Sequence, residues 1–526
     1  MRRYGRLQNP HGGRFTCYIV KLASVLSAIW MFGAHVNAAH AACPSIPCNS
    51  TGGNSCTIPS GTYTIPSTDP YPCTFSYPGK TVTLASGAVI KGDDIAEKCY
   101  TVTSTDLIVN GTLRAHNGCI IVNITGAYSM GSTGVVDVTN ANATTGPDST
   151  AEFQLTAGGS VSLSNTIDAT GASGKAGGDI SITGTTVSGS AAIHADGGSG
   201  GGGGPGGSIT VTTTATSGMD LNIFLNGNIS ADGTGSPSGN YGGYITLEAL
   251  GGATYGNASG TLKTMEAKGS GGYGCGEIDI IAHGGAAKVY GNLNANGNGS
   301  AWSPTSWGGY INVSGTSIST SSTWSVDGGT GGDGGSITAL ASGAIETTAG
   351  AMTANGGTST YIGGYGGSID VESSSSQITL SGNMTANGAG YNASGGDIVV
   401  DAHTTLTIQS SSTINSEVTG TNATFDGTIE LSGCNVTLSG TVDTRNTSHS
   451  AGTNTLSYGG TFTANTGSSL LADPHVIIGG NSWGLNNIRC SCAGACTTCI
   501  HSPTLNGTVT PYPANIVPTT AVPACS

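Results

Sequence analysis

The sequence is poor in charged and aromatic residues for its length. Only 8% of the 526 residues are Asp, Glu, Lys or Arg and 6% are Phe, Trp or Tyr, whereas 89 are glycine. Ordinary globular domains contain about 25% charged residues. The composition therefore argues against several ordinary globular domains joined in series and favours a repetitive architecture.

Basic residues are scarcer than acidic ones. The chain has 15 Lys and Arg against 29 Asp and Glu, and five of the basic residues lie within the first 41 positions. The remaining 10 basic and 29 acidic residues give a formal charge of −19. Because nucleic-acid binding depends on clustered Lys and Arg, this balance argues against nucleic acid as a partner. A polyanionic polysaccharide would need a bridging cation.

Long apolar runs are missing after the N-terminal segment. Residues 22–36 form an apolar run that follows several basic residues and precedes the small residues at 39–41, which is the order of a secretory signal peptide. The run is shorter than the ~20 apolar residues that cross a bilayer. We predict a cleaved signal peptide, no transmembrane segment in the mature chain, and a secreted or cell-surface location on a bacterium. An uncleaved anchor is the alternative.

Thirteen cysteines follow the predicted signal peptide, and most of them cluster near the two ends. In an exported protein such clusters indicate disulfides, whose connectivity the sequence leaves open. Cys275 and Cys434 stand alone in the middle, and the odd total leaves one thiol unassigned. The last cluster could bind zinc, but an oxidising compartment favours disulfides. The predicted disulfide-forming residues are Cys43, Cys48, Cys56, Cys73, Cys99, Cys119, Cys490, Cys492, Cys496, Cys499 and Cys525.

A glycine pair followed by a short alternating strand recurs along the chain, as in GGDISIT at 177–183. Ten segments of this kind, in two of which Cys or Asp replaces the first glycine, follow one another at intervals of 26 to 36 residues, with an average of about 31. Each period contains two further short strands. The last strand ends in Ala or Val, then Asp, Asn or Lys, then Gly, as in ADG at 195–197. Asp-Gly and Asn-Gly favour positive backbone torsions, so we predict turns there.

Three short strands and one loop per period predict an all-β fold, a single-stranded parallel β-helix of about 31 residues per turn. The glycine pairs would let the chain leave a loop at unusual torsions and pack closely against the neighbouring turn. The isoleucines that follow them would stack inward, from Ile180 to Ile429. We expect a signal peptide at 1–41, a Cys-rich N-terminal cap at 42–99, β-helix repeats at 100–480 and a Cys-rich C-terminal segment at 481–526.

This repeat resembles the right-handed parallel β-helix of exported bacterial surface proteins, including filamentous-haemagglutinin-type adhesins and autotransporter passengers. Pectin-degrading enzymes share that fold. The resemblance covers roughly residues 100–480 and lies in the repeat pattern, not in a family-defining motif. It implies an adhesin or an extracellular matrix component whose partners are extracellular glycans, surface polymers or further copies of itself.

Four acidic residues fall at outward positions of neighbouring periods. Counting from each glycine pair brings Glu372 next to Asp401, with Asp370 and Glu430 nearby. Carboxylates one turn apart, about 5 Å, could serve as the acid and nucleophile of a glycosidase or bind calcium. A solvated acidic face is the alternative. No Lys or Arg lies near them to act as the base of a lyase.

Aromatic residues stand directly before several glycine pairs. Three of these residues are two periods apart, about 10 Å, a step comparable with a disaccharide unit. The flat rings could stack on sugars or could shield backbone turns. The glycan-stacking candidates are Tyr241, Trp307, Tyr365 and Tyr458.

The sequence favours a non-enzymatic role. Its first interpretation is an exported adhesin or matrix component. A β-helical polysaccharide hydrolase or lyase that uses the four acidic residues is the alternative, and a passive fibre or surface-layer subunit is the third. No cofactor is predicted apart from the open question of calcium. The histidines lie several turns apart, so no metal centre is predicted.

Overall fold

The structure is a computed structural model of the chain. The predicted signal peptide and six of the cysteines (Cys43, Cys275, Cys492, Cys496, Cys499 and Cys525) lie outside the residues that it describes. The described residues are 46–49, 53–65, 73–92, 99–139, 151–200, 202–215, 222–235, 240–270, 276–299, 306–359, 361, 363–420, 427–445, 452–472, 476–478, 481–483, 486–491, 504–510 and 515–519.

The described residues form strands and loops only, without a helix. They build a parallel β-solenoid of about 12 regular turns, with about 29 residues per turn. The predicted period of 31 residues exceeds this average because it covers only the glycine-rich repeats. Near the N-terminus the loops are short, and Tyr100 pairs with Ile120 in the next turn. Within the described residues, no helix is long and apolar enough to cross a membrane.

The first strand of each regular turn has six residues and pairs in parallel with the first strands before and after it. These strands are Cys119–Ile124, Glu152–Ala157, Asp179–Gly184, Ser208–Thr213, Tyr244–Ala249, Glu277–Ala282, Tyr310–Gly315, Ser336–Ala341, Ser368–Ser373, Asp397–Ala402, Thr428–Gly433 and Thr453–Tyr458.

The second strand of each turn follows after a short bend. These strands are Tyr128–Met130, Val161–Leu163, Val187–Gly189, Ile223–Leu225, Ala253–Tyr255, Ala286–Val289, Ser317–Thr320, Ile345–Thr347, Ile378–Leu380, Thr405–Ile408, Asn435–Leu438 and Phe462–Ala464. The third strands belong to a separate 16-stranded sheet. In the regular turns they are Val135–Asp137, Thr166–Asp168, Ala192–His194, Ile229–Ser230, Thr264–Glu266, Asn292–Asn294, Trp324–Ser325, Ala351–Thr353, Asn383–Thr385, Thr413–Asn415, Thr441–Asp443 and Ser469–Leu471.

Sixteen further strands precede, follow or flank the regular turns. The N-terminal strands Ser55–Ile58 and Gly61–Thr64 already pair in parallel with the next turn, so the same stacking occurs on both sides of residue 99. The other strands are Cys73–Leu84, Ala88–Lys91, Tyr100–Val109, Thr112–Arg114, Gly269–Ser270, Gly297–Asn298, Gly388–Ala389, Val418–Thr419, Val476–Ile478, Asn481–Trp483, Asn486–Ser491, Thr504–Leu505, Thr508–Thr510 and Asn515–Thr519.

The predicted inward ladder of isoleucines is confirmed. Every member is buried, and each one before Ile429 pairs with the isoleucine of the next turn, for example Ile337 with Ile369 and Ile369 with Ile398. Burial of one such side chain contributes about 1.5–3 kcal/mol relative to exposure. The inward residues of all three strands join in one continuous core. The ladder members are Ile180, Ile209, Ile245, Ile278, Ile311, Ile337, Ile369, Ile398 and Ile429.

The glycine pairs allow successive turns to approach closely, as predicted, but the predicted reason involving torsions is wrong. A Cβ at Gly335 would overlap the carbonyl oxygen of Gly309 and would lie 2.7 Å from the carbonyl carbon of Gly308. Gly335 and the other described glycines of these pairs are absent from the glycines with φ between +20° and +160°. Glycine is required here because the backbones of neighbouring turns leave no space for a side chain.

The Ala-Asp-Gly and Asn-Gly segments also differ from the prediction, because their glycines do not adopt positive φ. Gly197 and Gly328 instead lie where the loop folds back against itself, and a Cβ at Gly197 would lie 2.7 Å from the Pro205 carbonyl oxygen. The backbone N–H of Gly207 donates to the Ala195 carbonyl, 2.7 Å away, and so closes the loop at its base.

The same closing hydrogen bond recurs along the solenoid, for example from Gly335 to Val326 and from Gly396 to Ala386, each at 2.7 Å. The loops that close in this way leave the solenoid at one corner. We call this row of loops the flange. It comprises the described residues within 170–177, 196–206, 232–242, 268–275, 296–308, 327–334, 355–366 and 387–395.

A ladder of Asp and Asn side chains runs along the base of the flange. The Asp327 Oδ1 atom accepts a hydrogen bond from the Asn355 backbone N–H at 2.7 Å, and Asn355 Oδ1 accepts one from Asn387 at 2.9 Å. The hydroxyls of Ser325 and Thr353 donate to Asp327 Oδ2 at 2.8 and 2.9 Å. The recurring Asp or Asn before glycine thus supplies an acceptor to the next turn.

Replacement of Asp327 by alanine is expected to lower the free energy of unfolding by about 1–3 kcal/mol, because the Asn355 backbone N–H loses its acceptor and the Ser325 and Thr353 hydroxyls each lose one of two. Asp327→Asn retains Oδ1 for the Asn355 N–H and is expected to lose much less. Urea denaturation of both variants measures the difference. Equal destabilisation by the two substitutions would show that the acceptor is not the stabilising element.

Disulfides are present near the N-terminus, as predicted. Cys48 is joined to Cys56 and Cys99 to Cys119, and Cys73 is also disulfide-bonded. Cys434 is disulfide-bonded as well. Cys434 lies outside the predicted set because the sequence shows no other cysteine near it.

Candidate functional site

The outward side chains of the first strands form one long face, which we call the first-strand face. They occupy the first, third and fifth positions of each six-residue strand, and eleven such strands follow one another from Glu152 to Tyr458. None of these positions is Lys or Arg. Ten of them are acidic: Glu152, Asp179, Glu248, Glu277, Asp279, Asp370, Glu372, Asp397, Asp401 and Glu430.

The structure places the four acidic residues singled out in the sequence on three consecutive first strands, with Asp370 and Glu430 each diagonal to Asp401. Glu372 pairs directly with Asp401 of the next turn, and Asp370 lies two residues before Glu372 on the same strand. Burial, and then the charges of Glu372 and Asp401, raise the pKa of Asp370. Glu430 is farther from Asp370, because Val399 stands between them in their column.

A second acidic pair lies near the other end of this face. Glu152 pairs with Asp179 of the next turn. Burial of the carboxylate and the nearby charge of Glu152 raise the pKa of Asp179 to about 6, although part of the side chain is exposed. The hydrogen bond from the Ser208 backbone N–H opposes this shift. Stacked carboxylates therefore repel one another at both ends of the first-strand face.

An open groove of about 400 Å³ crosses several turns where the first strands end. Leu340, 38% exposed, contributes an apolar surface to it, and Glu372 lies at its C-terminal end. At the other end, His283 Nε2 lies 2.9 Å from Glu248 Oε1. The remaining lining includes the hydroxyl residues Ser314, Thr316, Ser342 and Ser374.

Three of the four predicted aromatic residues share one column at the base of the flange. Tyr241, Trp307 and Tyr365 are half-buried. The first glycine of each pair donates its N–H to the carbonyl of the next residue in this column, for example Gly334 to Tyr365 at 2.8 Å. Tyr241, Trp307 and Tyr365 are therefore two turns apart, as the repeat predicted.

Tyr458 does not belong to this surface column. Its side chain is 1% exposed, and its ring lies 5.9 Å from that of Phe462 inside the solenoid. Burial raises the pKa of Tyr458 to about 12. The prediction fails because the glycine pair at 459–460 follows the first strand of its turn, whereas the other pairs precede theirs.

Sequence reasoning missed two tyrosines on the first-strand face. Tyr244 and Tyr310 stand in one column with Glu277 between them, on three consecutive turns. The available signal was the motif aromatic-Gly-Gly-Tyr, which occurs at 241–244 and 307–310. Each motif combines a ring at the base of the flange with a ring on the neighbouring face.

The flange itself also displays aromatic rings that the sequence did not single out. Tyr361 is 86% exposed and Tyr391 is 40% exposed, and they lie on loops of successive turns. The backbones of these loops are in contact, because the Gly363 N–H donates to the Tyr391 carbonyl at 2.6 Å. Aromatic rings therefore lie on the flange as well as on the first-strand face.

The acidic residues do not converge into a metal centre among the residues described. No group of three or more His, Cys, Asp or Glu side chains there is positioned to hold a metal ion. Calcium binding by the stacked carboxylates stays a prediction.

Comparison with protein-family models, with curated proteins and with solved structures returned no match to this chain.

Proposed function

We propose that the protein is a non-enzymatic component of the extracellular surface, an adhesin or matrix protein that binds glycan chains along its first-strand face. The observation that carries this proposal is the column Tyr244, Glu277, Tyr310, which repeats ring, carboxylate and ring at one-turn intervals. Aromatic rings stack on the apolar faces of sugars, and carboxylates accept hydrogen bonds from sugar hydroxyls.

The length of the face suits a polymer. Successive turns are ~4.8 Å apart, so the eleven strands present outward side chains over about 50 Å. A chain of sugars that lies along the axis would meet side chains at the same three strand positions in every turn. Many weak contacts of this kind give strong overall binding, because they act within one molecule.

Hydrolysis of a polysaccharide is the second candidate. Asp370 supports it, because its raised pKa favours the protonated form that a general acid needs. The open position of these carboxylates supports binding instead, since catalytic acids and bases ordinarily lie in a cleft that positions the substrate. Passive assembly into a fibre or surface layer is the third candidate.

A glycan array tests the proposal with the double variant Tyr244→Ala/Tyr310→Ala. Each ring is worth about 0.5–1.5 kcal/mol beyond its buried area, so we expect binding to weaken about tenfold or more. Phe224→Ala is the matched control, because this exposed ring lies on a second strand. Unchanged binding by the double variant would contradict the proposal.

The glycans that bind on the array also serve as substrates in a test for hydrolysis. We expect no release of reducing sugar by the wild-type protein. Release that Glu372→Gln abolishes would support the hydrolase instead. Neither binding nor release on a broad array would leave the passive structural role.

A further inference from the structure

We infer that the open groove at the ends of the first strands is a subsite for one uncharged sugar ring of the bound glycan. The ring would lie between the side chains of Ile281 and Leu340, over Ser314 and Gly315. This inference rests on the proposed function and adds the position and the charge of a sugar that the protein recognises.

The groove arises from a short bend in one turn. Thr316 is the only residue between the first strand Tyr310–Gly315 and the second strand Ser317–Thr320. The turns on either side connect the same two strands through three residues each, 283–285 and 342–344. The middle turn therefore cuts the corner of the solenoid, and its two neighbours project beyond it. The recess that results has a volume of about 400 Å³, within the range of small-ligand sites.

The outward side chains deepen this recess. Ile281 pairs with Ser314 in the next turn, and Ser314 pairs with Leu340 in the turn after that. A small side chain thus stands between two large ones, and Gly315 beside it has none. Two turns separate Ile281 from Leu340, about 10 Å, so a puckered ring midway between them would contact an aliphatic side chain on each face.

The two aliphatic side chains are exceptional at their strand position. Among the fifth positions of the eleven first strands, the other nine residues are Ser, Thr, Asp or Glu. Leu340 is 38% exposed and Ile281 is half-buried. A single exposed apolar residue is ordinary on a protein surface. Two that flank the same recess indicate a ligand with apolar faces.

The rest of the lining forms hydrogen bonds. Ser314, Thr316, Ser342 and Ser374 contribute hydroxyls to the groove. In the described part of the chain, the hydroxyls of Ser314, Thr316 and Ser374 have no hydrogen-bond partner. A sugar ring has apolar C–H faces and a rim of hydroxyls, so it would use the walls and these groups together. An acyl chain would exclude water and leave the same hydroxyls unpaired, which is unfavourable.

Carboxylates at both ends of the recess specify an uncharged sugar. Glu248 pairs with Ile281 on one side, and Glu372 pairs with Leu340 on the other. Carboxylates accept hydrogen bonds from sugar hydroxyls but repel the carboxylate of a uronic or sialic acid. No outward position of the eleven first strands is Lys or Arg, so this face offers neither residue to an acidic sugar.

The groove lies on the same strand as one ring of the aromatic column. Tyr310 precedes Ser314 by four residues, about 13 Å along the strand. One oligosaccharide could therefore contact Tyr310 and the groove at once, and the two contacts would reinforce each other. Loss of the groove is expected to weaken such binding without abolishing it.

A glycan array tests the inference with matched pairs of hexamers: glucose with glucuronic acid, galactose with galacturonic acid, and mannose with mannuronic acid. We expect the wild-type protein to bind at least one uncharged hexamer at least about tenfold more tightly than its acidic counterpart. Ser314→Phe fills the recess, and we expect it to weaken the binding of uncharged glycans by about tenfold or more. Half-saturating protein concentrations measure both differences.

Thr379→Phe is the matched control for Ser314→Phe, because Thr379 is a half-buried outward residue of a second strand. We expect it to bind glycans like the wild type. Leu340→Ser removes one wall without filling the recess and is expected to weaken binding about threefold or more. Leu262→Ser, at a 59% exposed position, is its control. Thermal unfolding verifies that all four variants are folded.

The outcomes separate this inference from the proposed function. Unchanged or tighter binding of uncharged glycans by Ser314→Phe, or wild-type binding confined to acidic glycans, would overturn the inference and leave glycan binding intact. Binding of dodecanoate that Ser314→Phe abolishes, with unchanged binding of uncharged glycans, would overturn it in favour of an acyl chain. A protein that binds no glycan on the array would remove both proposals.

Discussion

Gly335→Ala is expected to destabilise the solenoid by about 3 kcal/mol or more, although it adds one methyl group. The new Cβ would overlap the Gly309 carbonyl oxygen of the preceding turn. Both groups are backbone, so no side-chain rotation can relieve the contact, and overpacking in such a place is costly. Separation of the turns would also strain the hydrogen bond from the Gly335 N–H to Val326.

Gly260→Ala is the matched control for this substitution. Gly260 is exposed and lacks positive φ, and its nearest contact would be the Asn257 side chain at 3.3 Å. We expect its effect to stay within about 0.5 kcal/mol, as for most surface substitutions. Urea denaturation followed by circular dichroism compares the two variants. Similar midpoints would refute the steric role of the glycine pairs.

Trp324→Ala is expected to cost about 3–5 kcal/mol, because it removes the largest fully buried side chain among the described residues. Trp324 belongs to the third strand of its turn and pairs with Leu293 on one side and Met352 on the other. Its removal would open a cavity between the buried side chains of Leu293 and Met352.

A conservative variant sharpens this prediction. The Trp324 Nε1–H group is buried and finds no acceptor among the described residues. Trp324→Phe keeps most of the ring and removes that unpaired donor, so we expect it to cost less than half as much as Trp324→Ala. Tyr361→Ala, at an 86% exposed position, is the neutral control. A loss as small for Trp324→Ala as for Tyr361→Ala would contradict the burial.

The inward register could be predicted because two local signals coincide. The recurring glycine pairs before Gly459 mark the starts of first strands, and alternation then places every second residue inward. The pairing of Ile337 with Ile369 and of Glu372 with Asp401 follows from the same count. The role of the glycines could not be read in this way, because the distance between neighbouring turns is a property of tertiary packing.

The prediction for Tyr458 is wrong because the sequence around it resembles the repeat but occupies a different position within its turn. Gly459 and Gly460 are followed by alternating residues, but they lie between a first and a second strand. Only the pairing of Ile429 with Asn454 reveals that this first strand begins at Thr453. The disulfide of Cys434 could not be predicted, because it depends on which residues three-dimensional folding brings near an isolated cysteine.

The candidate site was predictable only in part. The column of Tyr241, Trp307 and Tyr365 follows from the period, since residues at equal offsets must stack. The groove beside Leu340 does not, because it depends on the bend between first and second strands. Which ligand these surfaces bind is a question of chemistry that the repeat pattern does not address.

The closing hydrogen bond at the base of a flange loop separates the length of that loop from the geometry of the solenoid. Eleven residues lie between Ala195 and Gly207 but only eight between Val326 and Gly335, and both loops close with the same 2.7 Å bond. Insertions and deletions beyond this point need not disturb the turns beneath. Evolution can therefore diversify what the flange presents to its surroundings while the stacked scaffold stays constant.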